Sequence, residues 1–288
     1  APMLDKYGGL VTVNYPVMGF YYVHMDAQSG RSWLISPVGH PLLAIGMTST
    51  RTGKSDLNEK SLRKRYGSAD KWAIETRELL YLSGYNMTGS WSDWELFRAY
   101  NSRNPAQPMA YCTQLNLLSG FAQLRKKESS LKEYPELARV FDPAFSSYCL
   151  KKLMEFNAVF TDPHLVGHFT DNELSFQSDL LSDFIALNDP SDPAYVFAMQ
   201  WIRENGIDTS KIKRSQSEGF SGAIAARYYK ITNEALKNLD PKHLNLGSRL
   251  HASAKNNPHV LAAAEANVDL ISINYYGNWA PTDKHLEQ

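Results

Sequence analysis

The sequence predicts an α/β protein in which a parallel sheet is covered by helices. Three observations lead there. Short apolar runs of strand length recur along the 288 residues. Stretches with apolar residues at helical spacing separate them, and Asp, Ser or Pro opens several of those stretches as a helix-start signal. Strands separated by helices in this way run parallel, either as a doubly wound open sheet or as a (β/α)8 barrel.

The first element departs from that rhythm. Residues 19–25 (Gly-Phe-Tyr-Tyr-Val-His-Met) and 31–37 (Arg-Ser-Trp-Leu-Ile-Ser-Pro) read as two strands joined by a turn containing Ser29-Gly30. Residues 1–40 are therefore expected to form an N-terminal β-hairpin extension, with residues 41–288 as the barrel-type domain. An apolar run at 41–47 is the first parallel strand, and the pattern over 70–83, with Trp72, Ile74, Leu79 and Leu80, predicts the helix after it. Further strands fall at 85–88, 109–115, 165–170, 244–250 and 268–275. Helices fall at 94–100, 143–160, 194–205, 222–239 and 258–266. The polar stretch 51–65 reads as a long loop whose Lys and Arg side chains form a solvated face. Six strands alternate with helices and only residues 277–288 follow, so a (β/α)8 TIM barrel is expected to be incomplete in this chain, with its last two βα units missing or supplied by a separate piece.

Composition narrows the function. The chain is 43% hydrophobic and 12% aromatic, which excludes disorder. Its 30 basic and 30 acidic residues supply no overall basic footprint for nucleic acid or for an anionic membrane, so a neutral partner is expected. No apolar run has membrane-spanning length, and the first residues lack the layout of a signal peptide. Cys112 and Cys149 sit in apolar surroundings and are expected to be buried thiols.

Two strand ends carry the candidate chemistry. In the first, Val166-Gly167-His168-Phe169-Thr170 stops at Asp171-Asn172-Glu173. A Glu at the C-terminal end of a parallel strand, flanked by an amide, can act as a proton donor when its surroundings raise its pKa. The same residues also read as a helix start, with Asp171 or Asn172 capping and Glu173 in the first turn. The second strand end is Ile273-Asn274-Tyr275-Tyr276, where Asn274 and Tyr276 share a strand face and Trp279 follows as a sugar platform. Tyr276 packed beneath its own loop is the competing reading. Trp91, Asp93, Arg249 and His251 also stand at or just beyond strand ends, where cleft-lining and ordinary core or surface roles weigh equally.

Other signals are set aside. Gly46 and Gly53-Lys54-Ser55 are spaced too widely for a phosphate loop. His164 and His168 flank a strand-like Leu-Val-Gly without the Glu of a helical zinc motif, so no metal or cofactor is expected. Asn86-Met87-Thr88 matches a glycosylation triplet at a predicted strand and is read as chance. No Gly-x-Ser-x-Gly elbow is present, which leaves carboxylate chemistry.

Several blocks resemble the agarase-like members of glycoside hydrolase clan A: Gly19-Phe20-Tyr21-Tyr22-Val23, residues 30–41 leading into Ala44-Ile45-Gly46-Met47, residues 167–174, and Ile273-Asn274-Tyr275-Tyr276. The resemblance spans nearly the whole chain, and its Asn-Glu pair at the end of strand four is the most specific element. It implies a retaining TIM-barrel glycosidase acting on agarose or related galactans, with Glu173 as general acid/base and Asn172 binding a sugar hydroxyl. Tyr276 matches the tyrosine that holds the nucleophile carboxylate. The two carboxylates of such a mechanism lie about 5 Å apart across the scissile bond. Its nucleophile comes from strand seven and is expected beyond Gln288 or on another chain; Glu287 follows no apolar run and is not assigned. A polymeric substrate implies a periplasmic or secreted location. The competing class is a non-catalytic carbohydrate-binding protein on the same scaffold.

Overall fold

The computed structural model describes residues 3–128, 134–277, 281 and 283. The elements run β1 (Tyr22–Asp26), β2 (Arg31–Ile35), β3 (Pro41–Leu42), β4 (Gly46–Met47), α1 (Asp56–Tyr66), α2 (Ala69–Leu82), β5 (Met87–Thr88), α3 (Trp94–Arg103), β6 (Ala110–Gln114) and α4 (Leu117–Glu128). They continue with α5 (Phe145–Met154), β7 (Leu165–Phe169), β8 (Asp171–Asn172), α6 (Leu180–Ile185), α7 (Pro193–Glu204), α8 (Arg214–Leu239), β9 (Leu244–Asn245), β10 (Ser248–Arg249) and α9 (Pro258–Glu265). Short 3-10 turns at Glu136–Phe141, Asn157–Val159 and Ala254–Asn256 link them. This is the α/β succession expected of a partial TIM barrel, preceded by an antiparallel hairpin.

The chain forms two compact units. The first holds residues up to Gln114 with Ala158–His168 and Lys242–Leu244; the second holds Leu115–Asn157, Phe169–Pro241 and the chain from Asn245 onward.

In the first unit the predicted hairpin is present. β1 and β2 pair antiparallel with Tyr22 facing Ile35 and His24 facing Trp33, and β3 extends the ladder. The run 41–47 is thus two short strands, of which only β4 joins the parallel sheet, in the order β4-β5-β6-β7-β9. The Asn86 side chain accepts from the Ile45 amide at 2.9 Å and donates to the Leu43 carbonyl at 2.9 Å, so it pins the approach to β4. Gly167 in β7 is needed for close approach, because a Cβ there would lie 2.3 Å from the Leu244 carbonyl oxygen. Helix α2 is capped by Ser68, which accepts from the Lys71 amide, and packs Trp72, Ala73 and Leu80 with Phe97 and Met109.

The stretch 51–65 is not a loop throughout. Ser55 caps α1, with Asp56 and Glu59 in its first turn and Arg63, Lys64 and Arg65 in its last, a charge order that suits the helix dipole. The helix fully buries no side chain, which is why hydrophobic periodicity does not reveal it.

The second unit holds the larger core, built from α4 to α9. Phe220 of α8 packs against Phe184, Phe197 and Trp201, and Phe121 against Phe145 and Tyr148. Helix α7 starts on Asp192, which accepts from the Ala194 amide at 2.8 Å, with Pro193 in its first turn. The expected strand at 244–250 is interrupted, because Gly247 turns through φ 63° between β9 and β10. The expected strand at 268–275 reduces to a single parallel bridge from Ile273 to Leu250. Cys112 of the first unit and Cys149 of the second are both buried free thiols; burial pushes Cys112 up to about 12 and raises Cys149 as well.

Candidate active site

Three parallel segments of the second unit end side by side. β8 pairs with β10 in the register Asp171 to Ser248 and Asn172 to Arg249. The ladder continues as the Glu173 amide donates to the Arg249 carbonyl at 2.9 Å. On the other side, the Leu250 amide donates to the Ser272 carbonyl at 2.7 Å and the Asn274 amide to the Leu250 carbonyl at 2.8 Å. Side chains far apart in sequence therefore meet at one place.

Glu173 is the centre of that meeting. Its Oε1 accepts from Asn274 Nδ2 at 2.7 Å and from the Tyr276 hydroxyl. His251 Nδ1 stands 3.9 Å from Oε2, with its ring edge-on to Tyr276 at 4.8 Å. Asn172 Oδ1 accepts from Arg249 Nε at 2.8 Å and from Asn274 Nδ2 at 3.3 Å. Because Arg249 can only donate, it fixes the Asn172 amide with its oxygen inward and its NH2 directed to other partners.

Adjacent residues on a strand point to opposite faces, yet Asn172 and Glu173 share the Asn274 amide. The backbone explains it. Glu173 sits at φ 53°, in the left-handed region that costs a non-glycine residue about 1 kcal/mol or more. The turn ends the strand and swings Glu173 to the side of its neighbour. Strain of this kind, held by surrounding bonds, concentrates at functional positions.

The competing helix-start reading of these residues fails, because the next helix, α6, begins at Leu180 and its flanking residue is Asp179. Asp171 does cap a helix, but a different one. Fully buried, it accepts from the Leu118 and Ser119 amides at the start of α4 at 2.8 and 3.0 Å, from the Ser119 hydroxyl at 2.8 Å and from the Tyr228 hydroxyl at 2.9 Å. A strand-end Asp is visible in the sequence; its helix, more than fifty residues earlier, is not.

The electrostatics of Glu173 run against the raised pKa that a resting proton donor needs. The Tyr276 hydroxyl bond, then the Asn274 amide and the nearby His251 and Arg249, hold its carboxyl below the usual glutamate range, with partial burial opposing them. The same bond raises the Tyr276 phenol. The group is thus a carboxylate set among hydrogen-bond donors and close to the Arg249 guanidinium.

Of the nine residues singled out in the sequence, six converge here: Asn172, Glu173, Arg249, His251, Asn274 and Tyr276. The resemblance assigned the Tyr276 hydroxyl to a nucleophile carboxylate, whereas here it donates to Glu173. Trp91 and Asp93 belong to the first unit. Trp91 is partly exposed at φ 65°, and the Asp93 carboxylate accepts from the Thr52 amide and hydroxyl, both at 2.8 Å. Trp279 lies outside the described residues. The two set-aside histidines are also in the first unit: His168 is buried with Nδ1 2.6 Å from the Thr113 hydroxyl, and His164 packs against Tyr7.

A parallel α/β scaffold presenting an Asn-Glu pair at a strand end is similar in sequence and fold to the agarase-like glycoside hydrolases. Among particular relatives, β-agarase A of Vibrio sp. (strain JT0107) is 25% identical over 265 residues, an alignment covering 75% of this chain and 25% of that protein. The crystal structure of BpGH50 superposes with a TM-score of 0.86 at 27% identity, over 99% of this chain and 64% of that one. The agarase AgWH50C shares the fold with a TM-score of 0.71 at 21% identity, over 96% of this chain and 49% of that one. This chain thus spans a quarter of the curated relative and about half to two thirds of these solved structures. No family model matches it.

Proposed function

We propose that this chain carries the acid/base half of a retaining glycoside hydrolase acting on β-linked, agarose-type galactan. The observation that carries the reading is the Glu173 carboxylate, set at a strand end beside Asn172 and held by Asn274 and Tyr276. The similarity to β-agarase A supports the substrate class. In this scheme Asn172 offers its NH2 to a sugar hydroxyl, while Arg249 and His251 flank the carboxylate. Trp91 and Trp279 are proposed as sugar-stacking rings, with Asp93 beside the first.

As it stands, Glu173 is poised for the second half-reaction, in which a general base takes a proton from water. The first half-reaction needs it protonated. A nucleophile carboxylate about 5 Å away supplies that through like-charge repulsion, which raises the pKa of its neighbour. That nucleophile is proposed to lie beyond Gln288 or on a second polypeptide. The enzyme is proposed to work in the periplasm or outside the cell, where a polymer can reach it; no helix among the described residues is long and apolar enough to cross a membrane.

One observation favours a second reading. The hydrogen-bonded group contains a single carboxylate among the described residues, as a carbohydrate-binding protein without turnover would. Glu173→Gln in the intact protein separates the two. On agarose-derived oligosaccharides the variant is expected to lose about a thousandfold in kcat, in keeping with removal of a general acid/base, while still binding substrate. Proton NMR of the first products should show the anomeric configuration retained. Unchanged turnover in the variant overturns the role of Glu173, and a wild-type protein that binds but never cleaves establishes the binding reading.

A further inference from the structure

The neutral total charge conceals a local imbalance. Residues 51–66 contain six basic side chains, Arg51, Lys54, Lys60, Arg63, Lys64 and Arg65, against Asp56 and Glu59, so the remainder of the chain has 24 basic and 28 acidic residues. Stability does not account for this tract. α1 fully buries no side chain, and only Leu62 and Tyr66 pack against the core beside Trp72, so its charged positions are not dictated by that core. Its dipole favours the three cations of the last turn but not Lys54, which precedes the N-cap at the positive end, nor Lys60 in the middle. The sole ion pair within the tract among the described residues, Arg63 to Glu59 at 3.5 Å, is exposed and contributes little.

The tract also has a concave part. A cavity of about 600 Å³ lies between the loop Thr52–Lys54, the α1 face carrying Glu59 and Arg63, and the start of α2 at its cap Ser68 and Ala69. The loop is built against α1: Gly53 takes φ 79°, and a Cβ there would meet the Asn58 side chain at 2.1 Å. The loop follows the C-terminal end of β4, the side on which parallel βα units carry their ligands.

We propose that residues 51–66 form a docking surface for sulfate esters carried on a galactan chain, with the cavity as the seat and Lys54 and Arg63 as the groups that bind the ester. This rests on the galactan reading above and adds the charge of the polymer to it. A sulfate monoester keeps its negative charge at any working pH and offers acceptor oxygens to an ammonium and a guanidinium, as charge-assisted hydrogen bonds require. A polynucleotide fits less well, because its charge continues past the tract onto a chain that is net acidic.

The test is equilibrium binding by calorimetry to a sulfated galactan oligosaccharide and to its desulfated counterpart. The sulfated form is expected to bind about tenfold more tightly at low ionic strength, with the advantage shrinking as salt screens it. Lys54→Ala combined with Arg63→Ala should abolish the advantage, and Glu59→Gln, which removes the competing carboxylate, should enlarge it. Equal affinity for the two oligosaccharides overturns the proposal. So does an equal loss in Lys230→Ala, an exposed cation of α8, since that reduces the effect to net charge. Tighter binding of single-stranded DNA than of the sulfated sugar overturns the assignment of the partner. Failure of the galactan reading itself is distinguishable, because then neither oligosaccharide binds.

Discussion

Asp171 and Glu173 are two carboxylates two residues apart on the same strand end, and they lead opposite lives. Asp171 is fully buried and surrounded by four donors; burial raises its pKa and those bonds pull it back. Glu173 is partly exposed, and its pKa is lowered, first by the Tyr276 hydroxyl. The first joins a strand to α4 and to Tyr228 of α8. The second faces Asn274, Tyr276 and His251, which leave it partly open to a ligand. Residue type alone therefore says little about a strand-end acid; the number and origin of its donors decide whether it holds the fold or waits for chemistry.

The sharpest way to break this contrast is Asp171→Ala. It leaves the first amides of α4 without their acceptor and removes one of the two partners of the Tyr228 hydroxyl, and a loss of about 3 kcal/mol is expected from unpaired buried groups and a lost helix cap. Urea denaturation measures it, and a loss under 1 kcal/mol would contradict the structural role. A smaller effect is expected at Arg249→Ala, which frees Asn172 to rotate. Substrate affinity should fall about tenfold while stability falls by about 1.5 kcal/mol, the low end for one hydrogen bond from a charged donor on a partly exposed side chain.

The smallest expected effect is also the most diagnostic. Tyr276→Phe removes the leading cause of the lowered Glu173 pKa, so carbon-13 NMR of the side-chain carboxyl should show its titration moving up toward the ordinary glutamate value. The sign for stability follows. A group whose folded pKa is lowered contributes fully above its unfolded pKa and loses that contribution as pH falls through the folded value. Because Glu173 is in part open to water, which screens the interaction, the wild type and Tyr276→Phe should differ only slightly in acid denaturation. A titration that stays in place would show that the hydroxyl does not govern the carboxylate.

Much of this was legible in the sequence, for identifiable reasons. Glu173 and Asn172 stand where a largely apolar strand run gives way to polar residues, and the shared parity of Asn274 and Tyr276 places both on one carboxylate. Which carboxylate could not be read, because the contacts join residues more than a hundred positions apart. The Ser29-Gly30 turn announced the hairpin, and helix periodicity placed α2 and α7 closely. α1 escaped because only Leu62 and Tyr66 reach the core, too few apolar positions to mark a helical period. The strand at 268–275 was overread because its apolar residues satisfy the period-two pattern, while only Ile273 makes a bridge. α4 escaped because Leu117 and Leu118, both buried, follow the β6 run with only a short break.

The two thiols have a practical consequence. Cys112 and Cys149 are the only cysteines in the sequence, and both are shielded and resistant to ionisation. Maleimide reagents need a thiolate that they can reach. A cysteine introduced on the exposed face of α1 could therefore carry a fluorophore with little background from the native thiols, so that motion of that helix could be followed in real time without first stripping the protein of its own sulfur.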